Sequence, residues 1–458
     1  MSVRPTSARD LALAALRDRA GNVTAHLNRL LATSAPPAEE AALARELALG
    51  VVRRRRTLDA VLSAFERGGR GRTAGKIRQI TRLGAYQLLF LDRVPAFAAV
   101  NEAVAQVGTR SKARGFVNAI LRSVSRSLSP PQSGPPPLEA DVVAVGADRF
   151  RRLDRGVFPD PRQDAAGFLA EAYSLPDELA RRWLAGFGGL AEAARVATHA
   201  NARAPLIMRV NARRATVGQV LERLASAGVE AVAHANALSV VVPGGADVTS
   251  LEVFTAGLVQ PQDAAATDVV ASAAAEPGMR VLDLCAAPGT KTTHLAERMD
   301  DRGSIVAADV SGDKLARIEA GCRRMGVTIV RTVLAERLAE AADEPFDLVL
   351  VDAPCSNTGV LSRRPEARWR ISPKRLRSLA RDQRRLLTLA AELVRPGGRV
   401  VYATCSLEAE ENGQLVRDVL ARRKRLGLIE ERTGLPAGAD DPARWRDGGY
   451  WAALTRRR

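Results

Sequence analysis

Two cysteines follow buried-looking apolar runs, and their thiols are the most nucleophilic groups in the chain. Cys355 comes three residues after an apolar run that ends at Asp352, and Cys405 comes directly after one that ends at Thr404. In an open α/β sheet the carboxyl ends of the strands face a single crevice, where such folds bind their ligands. The pattern therefore predicts two thiols at one site, and the thiolate form of either would be a nucleophile.

Two plainer interpretations of the cysteines remain open. A free cysteine is often a small buried hydrophobe without chemistry. A dithiol oxidoreductase would use a Cys-x-x-Cys motif, but the cysteines are 37, 33 and 50 residues apart, a spacing that also gives no zinc site and no disulfide framework. We therefore expect no metal site and a reducing, cytoplasmic environment. The four cysteines are Cys285, Cys322, Cys355 and Cys405.

A Gly/Pro loop after a third apolar run has the form of a cofactor loop. Its residues are Cys285, Ala286, Ala287, Pro288, Gly289, Thr290 and Lys291. The backbone amides of such a loop, at a helix start, stabilise a carboxylate or a phosphate. Asp309 ends the next run, 26 residues after Asp283, where an acidic side chain binds a ribose diol or else caps the next helix together with Ser311. Because the Gly-x-Gly-x-x-Gly dinucleotide motif is missing, a mononucleoside such as S-adenosylmethionine fits better than a nicotinamide or a flavin.

Alternating strands and helices must position these loops. Residues 257–458 predict strands near 279–284, 304–309, 327–332, 346–352 and 398–403, with helices near 291–299, 311–325, 376–395 and 409–421. This alternation is typical of a mostly parallel, doubly wound sheet. We therefore predict a Rossmann-like α/β domain over 257–458.

The rest of the chain predicts further domains in a multidomain protein. Residues 1–126 carry apolar side chains at helical spacing and predict an all-α domain. For residues 127–172 the sequence predicts a linker that is rich in proline up to Pro137. The structure of the segment after Pro137 is ambiguous from the sequence. Residues 173–256 predict a helix from Ser174 toward Ala200 and then a small α+β unit, which is either a second RNA platform or a spacer.

Charge points to a polyanionic partner. The 458 residues contain 68 Lys+Arg and 51 Asp+Glu, a net charge of +17, of which residues 1–128 carry +13. Such clustering favours contact with nucleic acid over a merely solvated basic surface. The run Arg53, Arg54, Arg55 and Arg56 and the Gly-rich stretch 67–78 are the candidate phosphate contacts. The sequence has no apolar run long enough to span a membrane and no secretion signal, so we expect no membrane partner.

Three motifs together resemble the RNA cytosine-5 methyltransferase family. They are Asp283-Leu284-Cys285-Ala286-Ala287-Pro288-Gly289-x-Lys291-Thr292, Asp352-Ala353-Pro354-Cys355-Ser356-x-Thr358-Gly359 and Tyr402-Ala403-Thr404-Cys405-Ser406. The helical domain is similar to the NusB-like RNA-binding domain in Arg82-Leu83-Gly84-Ala85-Tyr86-Gln87-Leu88, Val100-Asn101-Glu102-Ala103-Val104 and Gly115-Phe116-Val117-Asn118-Ala119-Ile120-Leu121-Arg122. With this domain in front, the chain resembles the Sun branch, which methylates small-subunit ribosomal RNA.

The resemblance implies roles for the site residues. It makes Cys405 the nucleophile that adds to carbon 6 of cytosine, and Cys355 the group that assists release of the methylated base. Asp352 would bind the N3/N4 edge of cytosine and lie near the methyl donor. S-adenosylmethionine would be held by the Cys285 to Lys291 loop, Asp309 and Asp352, with Gln262 and Asp263 shaping the pocket.

RNA is the partner that the resemblance implies, and one further segment suits it. Arg364, Arg368 and Trp369 offer guanidinium and aromatic planes for phosphates and an unstacked base, although a surface helix cap with a half-buried tryptophan is the alternative. The target base must leave its stack to reach the site, so a loop or transiently open RNA is expected. Two RNA-binding units in one chain make a monomer sufficient.

Departures from the family pattern keep two alternatives open. Thr290 stands where the family has a second glycine, and the acidic residue that contacts adenosine is missing around Val330 to Glu336 unless Glu336 replaces it. These changes would suit a non-catalytic RNA-binding or ribosome-assembly factor. A DNA cytosine methyltransferase would use the Pro354-Cys355 thiol as its nucleophile, whereas this chain has a second cysteine, Cys405, where the RNA enzymes keep theirs.

Overall fold

The chain folds into two compact units. The structure is a computed structural model that describes residues 7–17, 22–66, 75–109 and 111–457. The first unit comprises the described residues up to Ala202 together with Arg364–Ile371, and the second comprises Arg203–Arg363 and the chain from Ser372 onward. The segment Arg364–Ile371 thus belongs to the first unit, although the chain on both sides of it belongs to the second.

The first unit begins with a helical bundle, which confirms the predicted all-α domain. In the described residues its helices are α1 (Ala8–Leu16), α2 (Val23–Ser34), α3 (Ala38–Phe65), α4 (Gly75–Phe90), α5 (Ala96–Val107) and α6 (Ala113–Ser127). Glycines allow close approach of the helices: a Cβ on Gly50 of α3 would lie 2.1 Å from the Tyr86 ring of α4, and one on Gly84 would lie 2.5 Å from Leu121 of α6. Side chains of ordinary size there would push the helices apart.

Residues 127–202 complete the first unit with a small sheet and three helices. The elements are β1 (Gln132–Ser133), β2 (Val142–Ala144), β3 (Arg149–Arg152), α7 (Ala165–Ala172), α8 (Asp177–Gly186) and α9 (Leu190–Asn201). The prediction of a linker is wrong here, because β1 pairs with β3 and Leu128 pairs with Leu153. A proline-rich segment is compatible with a sheet edge, where missing N–H donors cost nothing. The single helix predicted toward Ala200 is instead two, separated by Gly188 and Gly189 with positive φ.

The second unit begins with the predicted small α+β fold. Its elements are β4 (Leu206–Val210), α10 (Val217–Ser226), β5 (Val232–Ala233), β6 (Ser239–Val242), α11 (Glu252–Thr255) and β7 (Val259–Pro261). The antiparallel sheet has the order β5-β6-β4-β7. Met208, Val240 and Leu224 of α10 lie in its buried core. Strand β7 extends this sheet past residue 256, beyond the predicted end of the unit.

The remainder is the predicted α/β domain. Its elements are α12 (Ala264–Ala273), β8 (Arg280–Asp283), α13 (Thr290–Arg298), β9 (Ser304–Asp309), α14 (Gly312–Met325), β10 (Val330–Leu334), β11 (Phe346–Asp352), α15 (Pro373–Leu393), β12 (Val394–Thr404), α16 (Gly413–Arg422), β13 (Leu426–Gly434) and β14 (Gly449–Arg456). The sheet order is β10-β9-β8-β11-β12-β14-β13. Neighbours from β10 to β12 are parallel, and β14 is antiparallel to both β12 and β13.

The strand order reverses between β8 and β11, which leaves a crevice at the carboxyl edge of the sheet. Asp283 pairs with Leu350 and Asp352 pairs with Ala403, so β8, β11 and β12 end close together. Apolar clusters cover both faces of the sheet, as expected for strands that read as continuous apolar runs. The three loops singled out from the sequence therefore meet at one edge.

Candidate active site

The structure brings the two predicted thiols together. Cys355 lies in the loop after β11 and Cys405 in the loop after β12, and their Sγ atoms are 3.2 Å apart. Cys355 is buried, whereas Cys405 is partly exposed, with its Sγ 3.4 Å from Asn357 Oδ1. The hydrogen bond with Cys405 and then burial raise the pKa of Cys355 well above its ordinary value. Cys355 is accordingly a protonated thiol at neutral pH, while Cys405 is the accessible one.

Cys405 lines a cavity together with Asp352 and Lys291. The Lys291 ammonium lies 2.5 Å from Asp352 Oδ2. Burial alone would lower the pKa of Lys291, but Asp352 and then Cys405 raise it above its ordinary value. Lys291 therefore stays cationic beside the thiol, in a position to stabilise a thiolate. Tyr450 and Trp451 of β14 line the same cavity.

Asp263 also lines this cavity, and it belongs to an acidic pair held by one arginine. Arg363 donates to Asp263 Oδ2 at 3.2 Å and to Asp447 Oδ2 at 2.6 Å. Burial and then repulsion by Asp447 raise the pKa of Asp263 to about 6. Its neighbour Gln262 is turned away, accepting from Arg209 Nε at 3.0 Å.

The predicted cofactor loop connects β8 to α13 beside this cavity. Gly289 has a φ of +96°, and a Cβ there would lie 3.2 Å from Ile318 Cα of α14. Asp309 at the end of β9 accepts from Ala287 N at 3.2 Å and from Lys314 Nζ at 3.0 Å. The loop thus places the first-turn N–H groups of α13 and the Asp309 carboxylate at the same edge, an arrangement that suits an anionic ligand with a ribose.

Burial raises the pKa values of two ionisable groups at the start of the loop. Asp283 is fully buried, and burial raises its pKa to about 7 while Thr292 Oγ1 donates to it at 2.7 Å. Burial also raises the pKa of Cys285 to about 12, with further repulsion from Asp283. Cys285 is therefore a poor nucleophile.

Sequence reasoning missed a buried carboxylate behind the two cysteine loops. Glu411 is fully buried and bonds both Ser356 and Ser406, the residues that follow the cysteines. Gln383 of α15 donates to its other oxygen at 2.9 Å. Because Glu411 stands among other acidic residues in the sequence, nothing local distinguishes it from a solvated surface group.

The first unit contains the seven predicted RNA-binding residues, and three of them are buried. Arg53 and Arg54 are only 9% and 5% exposed, and Arg54 stacks 4.6 Å from the centre of the Phe90 ring. Arg56 pairs with Asp177 at 2.6 Å. The expectation that Arg53 and Arg54 bind phosphate is therefore wrong, because their guanidinium groups are covered. Of the Gly-rich basic stretch, residues 67–74 lie outside the described residues.

The segment Arg364–Ile371 is likewise an anchor within the first unit. Arg368 is fully buried and donates to the main-chain oxygens of Arg53 and Ala200 at 3.0 and 2.8 Å. Trp369 Nε1 donates to Val52 O at 2.9 Å, and the Arg55 guanidinium covers the indole ring at 3.7 Å. Arg368 thus cannot reach RNA, and one face of Trp369 is occupied. Arg364 is exposed.

Across residues 7–457, leaving out the undescribed gaps, no three His, Cys, Asp or Glu side chains are grouped so that they could hold a metal ion. Over the same described ranges, no helix combines the length and apolar character needed to cross a membrane.

Comparison with known proteins gives three family matches along the chain. Residues 271–442 match the family described as 16S rRNA methyltransferase RsmB/F, residues 6–126 the NusB family, and residues 175–248 the ferredoxin-like domain of RsmF/B-like methyltransferases. A probable ribosomal RNA small subunit methyltransferase B from Synechocystis is 32% identical, covering 89% of this chain and 87% of its own. The ribosomal RNA small subunit methyltransferase B of Vibrio cholerae is 31% identical, covering 91% and 89%.

A solved structure matches the fold over the same length. The crystal structure of PH0851 aligns with a TM-score of 0.73 and 24% identity, covering 100% of both chains. Three observations lead to the same family. The matched domains follow one another along the chain, the motif loops meet at one sheet edge, and the two relatives align with about nine tenths of the chain. The chain belongs to the RsmB/F family of ribosomal RNA small subunit methyltransferases.

Proposed function

We propose that the chain transfers a methyl group from S-adenosylmethionine to carbon 5 of cytosine in small-subunit ribosomal RNA, through a transient bond between Cys405 and the base. The observation that carries this proposal is the pair of thiols 3.2 Å apart, one of which lines a cavity with Asp352 and Lys291. Membership of a ribosomal RNA methyltransferase family supports the reaction class. The thiol pair supports the choice of a cytosine carbon, which needs covalent activation.

The cofactor loop fits S-adenosylmethionine. The first-turn N–H groups of α13 would bind the carboxylate of its amino-acid part, and Asp309 would accept from its ribose hydroxyls. Gly289 lets the loop pass close to α14 without a Cβ clash. When bound, S-adenosylmethionine supplies an electrophilic methyl group.

Cys405 makes the base nucleophilic. Carbon 5 of cytosine is a weak nucleophile, so the Cys405 thiolate adds to carbon 6 and pushes the electrons of the ring double bond toward carbon 5. The Lys291 ammonium stabilises the attacking thiolate and holds Asp352 at 2.5 Å. Asp352 would hydrogen-bond the N3/N4 edge of the base, which selects cytosine over uracil.

Cys355 assists the release of the product. After carbon 5 has gained the methyl group, its proton passes to solvent water, the carbon 5 to carbon 6 double bond re-forms, and Cys405 departs as a thiolate. Cys355 is a protonated thiol within hydrogen-bond distance of that sulfur, so it donates a hydrogen bond to the leaving group. Without that donor, the base would stay attached to Cys405.

Small-subunit ribosomal RNA with an unpaired target is the expected substrate. Atoms of a base paired in a duplex cannot enter a cavity, so the cytosine must be flipped out or lie in a loop. The high positive charge of the chain suits RNA phosphates, with the exposed Arg364 as one contact in the first unit. A single copy of the chain carries every residue that this reaction uses.

Nucleoside analysis tests the proposal. Purified protein is incubated with methyl-labelled S-adenosylmethionine and unmodified small-subunit ribosomal RNA, and the digested RNA is separated into nucleosides. We expect the label in 5-methylcytidine, and none in DNA of the same sequence. Label in another nucleoside would refute cytosine methylation. Tight RNA binding without any label would favour the non-catalytic assembly factor.

A further inference from the structure

Both cysteine loops are attached to one buried carboxylate that the reaction above does not use. Glu411 Oε2 accepts hydrogen bonds from the hydroxyls of Ser356 and Ser406, the latter at 2.5 Å. Its Oε1 accepts from Ser356 N and from Gln383 Nε2, each at 2.9 Å. We propose that Glu411 is a positioning residue that sets the separation of Cys355 and Cys405, an inference that rests on the proposed function.

The connection from Glu411 to the sulfurs is short. Ser356 directly follows Cys355 and Ser406 directly follows Cys405, so two hydroxyls that meet on one oxygen fix the two cysteine backbones relative to each other. The hydroxyls themselves are 3.0 Å apart. Parallel pairing of β11 and β12 ends at Asp352 and Ala403. Beyond those residues Gly359 N still donates to Cys405 O at 2.9 Å, and the contacts with Glu411 add side-chain links between the two loops.

A second set of contacts fixes Glu411 itself. Tyr402 of β12 donates from its hydroxyl to the main-chain oxygen of Glu411 at 2.7 Å. Gln383 also donates to Pro354 O at 2.9 Å, which connects α15 to the Cys355 loop. Glu411 therefore joins a helix, a strand and both reactive loops.

The chemistry of the contacts requires a carboxylate. Each group that contacts the Glu411 side chain donates a hydrogen bond to it. A carboxylate only accepts hydrogen bonds, so it suits all of these donors. The side-chain amide of a glutamine at this position would turn its own N–H groups toward two of them. In the described part of the chain no ion pair involves Glu411. Burying a charge without a counter-ion costs stability. Four hydrogen bonds offset this cost, and all of them come from the two cysteine loops and α15.

The charge of Glu411 also acts on the Cys355 thiol. After the hydrogen bond with Cys405, burial and the charge of Cys405, Glu411 is a further cause that raises the pKa of Cys355. Removing that charge while keeping the side-chain size should make Cys355 more reactive relative to Cys405. A purely structural role would not change this ratio.

The experiment compares Glu411→Gln with Glu411→Asp and with Glu430→Gln. Glu430 is exposed on β13 and provides the same charge change away from the loops. Methyl transfer is measured in single turnovers, and the thiols are labelled with iodoacetamide and quantified at Cys355 and Cys405 by peptide mass spectrometry. The melting temperature of each variant is recorded. Because Glu411→Gln could impair folding, Ser356→Ala combined with Ser406→Ala serves as a second test.

For Glu411→Gln we expect a loss of about 100-fold in methyl transfer, typical of a misplacement of about 1 Å. The labelling ratio of Cys355 to Cys405 should rise several-fold, with partial recovery of transfer in Glu411→Asp and no change in Glu430→Gln. The double serine variant should lose methyl transfer while Glu411 is retained. An unchanged labelling ratio, or full activity in the double serine variant, would overturn the proposal. Absence of 5-methylcytidine with the wild-type protein would instead refute the proposed function.

Discussion

Cys355 Sγ lies 3.2 Å from Cys405 Sγ, although 50 residues separate the two cysteines in the chain. Two adjacent thiols cannot both ionise easily, because the second negative charge would form next to the first. Cys355 is buried and Cys405 faces the cavity with Lys291, so the two sulfurs differ in environment. In the proposed reaction, that difference would let one sulfur attack the base while the other keeps its proton.

Gly289→Ala should damage the cofactor loop. The residue has a φ of +96°, and the new Cβ would lie 3.2 Å from the backbone of Ile318, so we expect strain of about 1–2 kcal/mol and a shifted loop. S-adenosylmethionine affinity, measured by equilibrium dialysis, should fall at least several-fold.

Gly321→Ala is the matched control for this change. Gly321 lies in the same α14 helix as Ile318, and a Cβ there meets nothing within 4 Å. Alanine should stabilise the helix by about 1 kcal/mol and leave cofactor affinity unchanged. Equal affinity in Gly289→Ala and the wild type would show that the loop geometry does not govern cofactor binding.

Asp283 should make stability fall as the pH rises. Its pKa is about 7 in the fold against 3.8 for an ordinary aspartate, so the folded chain keeps a proton that the unfolded chain has lost between these values. This contribution is present below about pH 4 and is lost by about pH 7, and at 1.36 kcal/mol per unit it amounts to at most about 4 kcal/mol.

The comparison of Asp283→Asn with the wild type isolates this contribution. The measured quantity is the melting temperature of Asp283→Asn minus that of the wild type at the same pH. Whatever this difference is at pH 5, it should increase by several degrees by pH 8. Asp382→Asn, the same side-chain change at an exposed position on α15, is the control. A constant difference for Asp283→Asn would mean that this carboxyl group is ionised in the fold at pH 5.

Arg368→Ala should destabilise the first unit without weakening contact with RNA. The change would leave the main-chain oxygens of Arg53 and Ala200 without their donor, so the free energy of unfolding should fall by about 3 kcal/mol. Urea denaturation measures this loss.

Arg364→Ala provides the contrast four residues earlier. Because Arg364 is exposed, the free energy of unfolding of the Arg364→Ala protein should differ from that of the wild type by no more than about 0.5 kcal/mol. RNA affinity should fall, and the slope of log K against log salt should decrease by about 1. A loss of RNA affinity in Arg368→Ala at conditions where it stays folded would reinstate Arg368 as an RNA contact.

The sequence predicts the α/β domain well because its signals are local. Continuous apolar runs mark the central strands. The Gly/Pro loop follows one of these strands, and the two cysteine loops follow two others. The position of β14 between β12 and β13 is not predictable in this way, since it depends on pairing between distant strands. A local pattern gives strands, but not their neighbours.

The arginine residues show the same limit at the level of side chains. A run of four arginines reads as a solvated basic face, yet Arg53 and Arg54 are buried. Arg368, which bonds to Arg53 O, lies 315 residues further along the chain. Burial of a charged group depends on acceptors and rings that distant segments supply, and no window of sequence contains them. Glu411 was missed for the same reason.

Trapping of the covalent intermediate tests the central claim most directly. Wild type, Cys355→Ala and Cys405→Ala are each incubated with S-adenosylmethionine and unmodified small-subunit ribosomal RNA, and protein bound covalently to RNA is quantified on a denaturing gel. We predict that Cys355→Ala accumulates the adduct, that the wild type shows little of it, and that Cys405→Ala shows none. An adduct formed by Cys405→Ala, or equal amounts from both variants, would contradict the assignment of Cys405 as the nucleophile and of Cys355 as the releasing group.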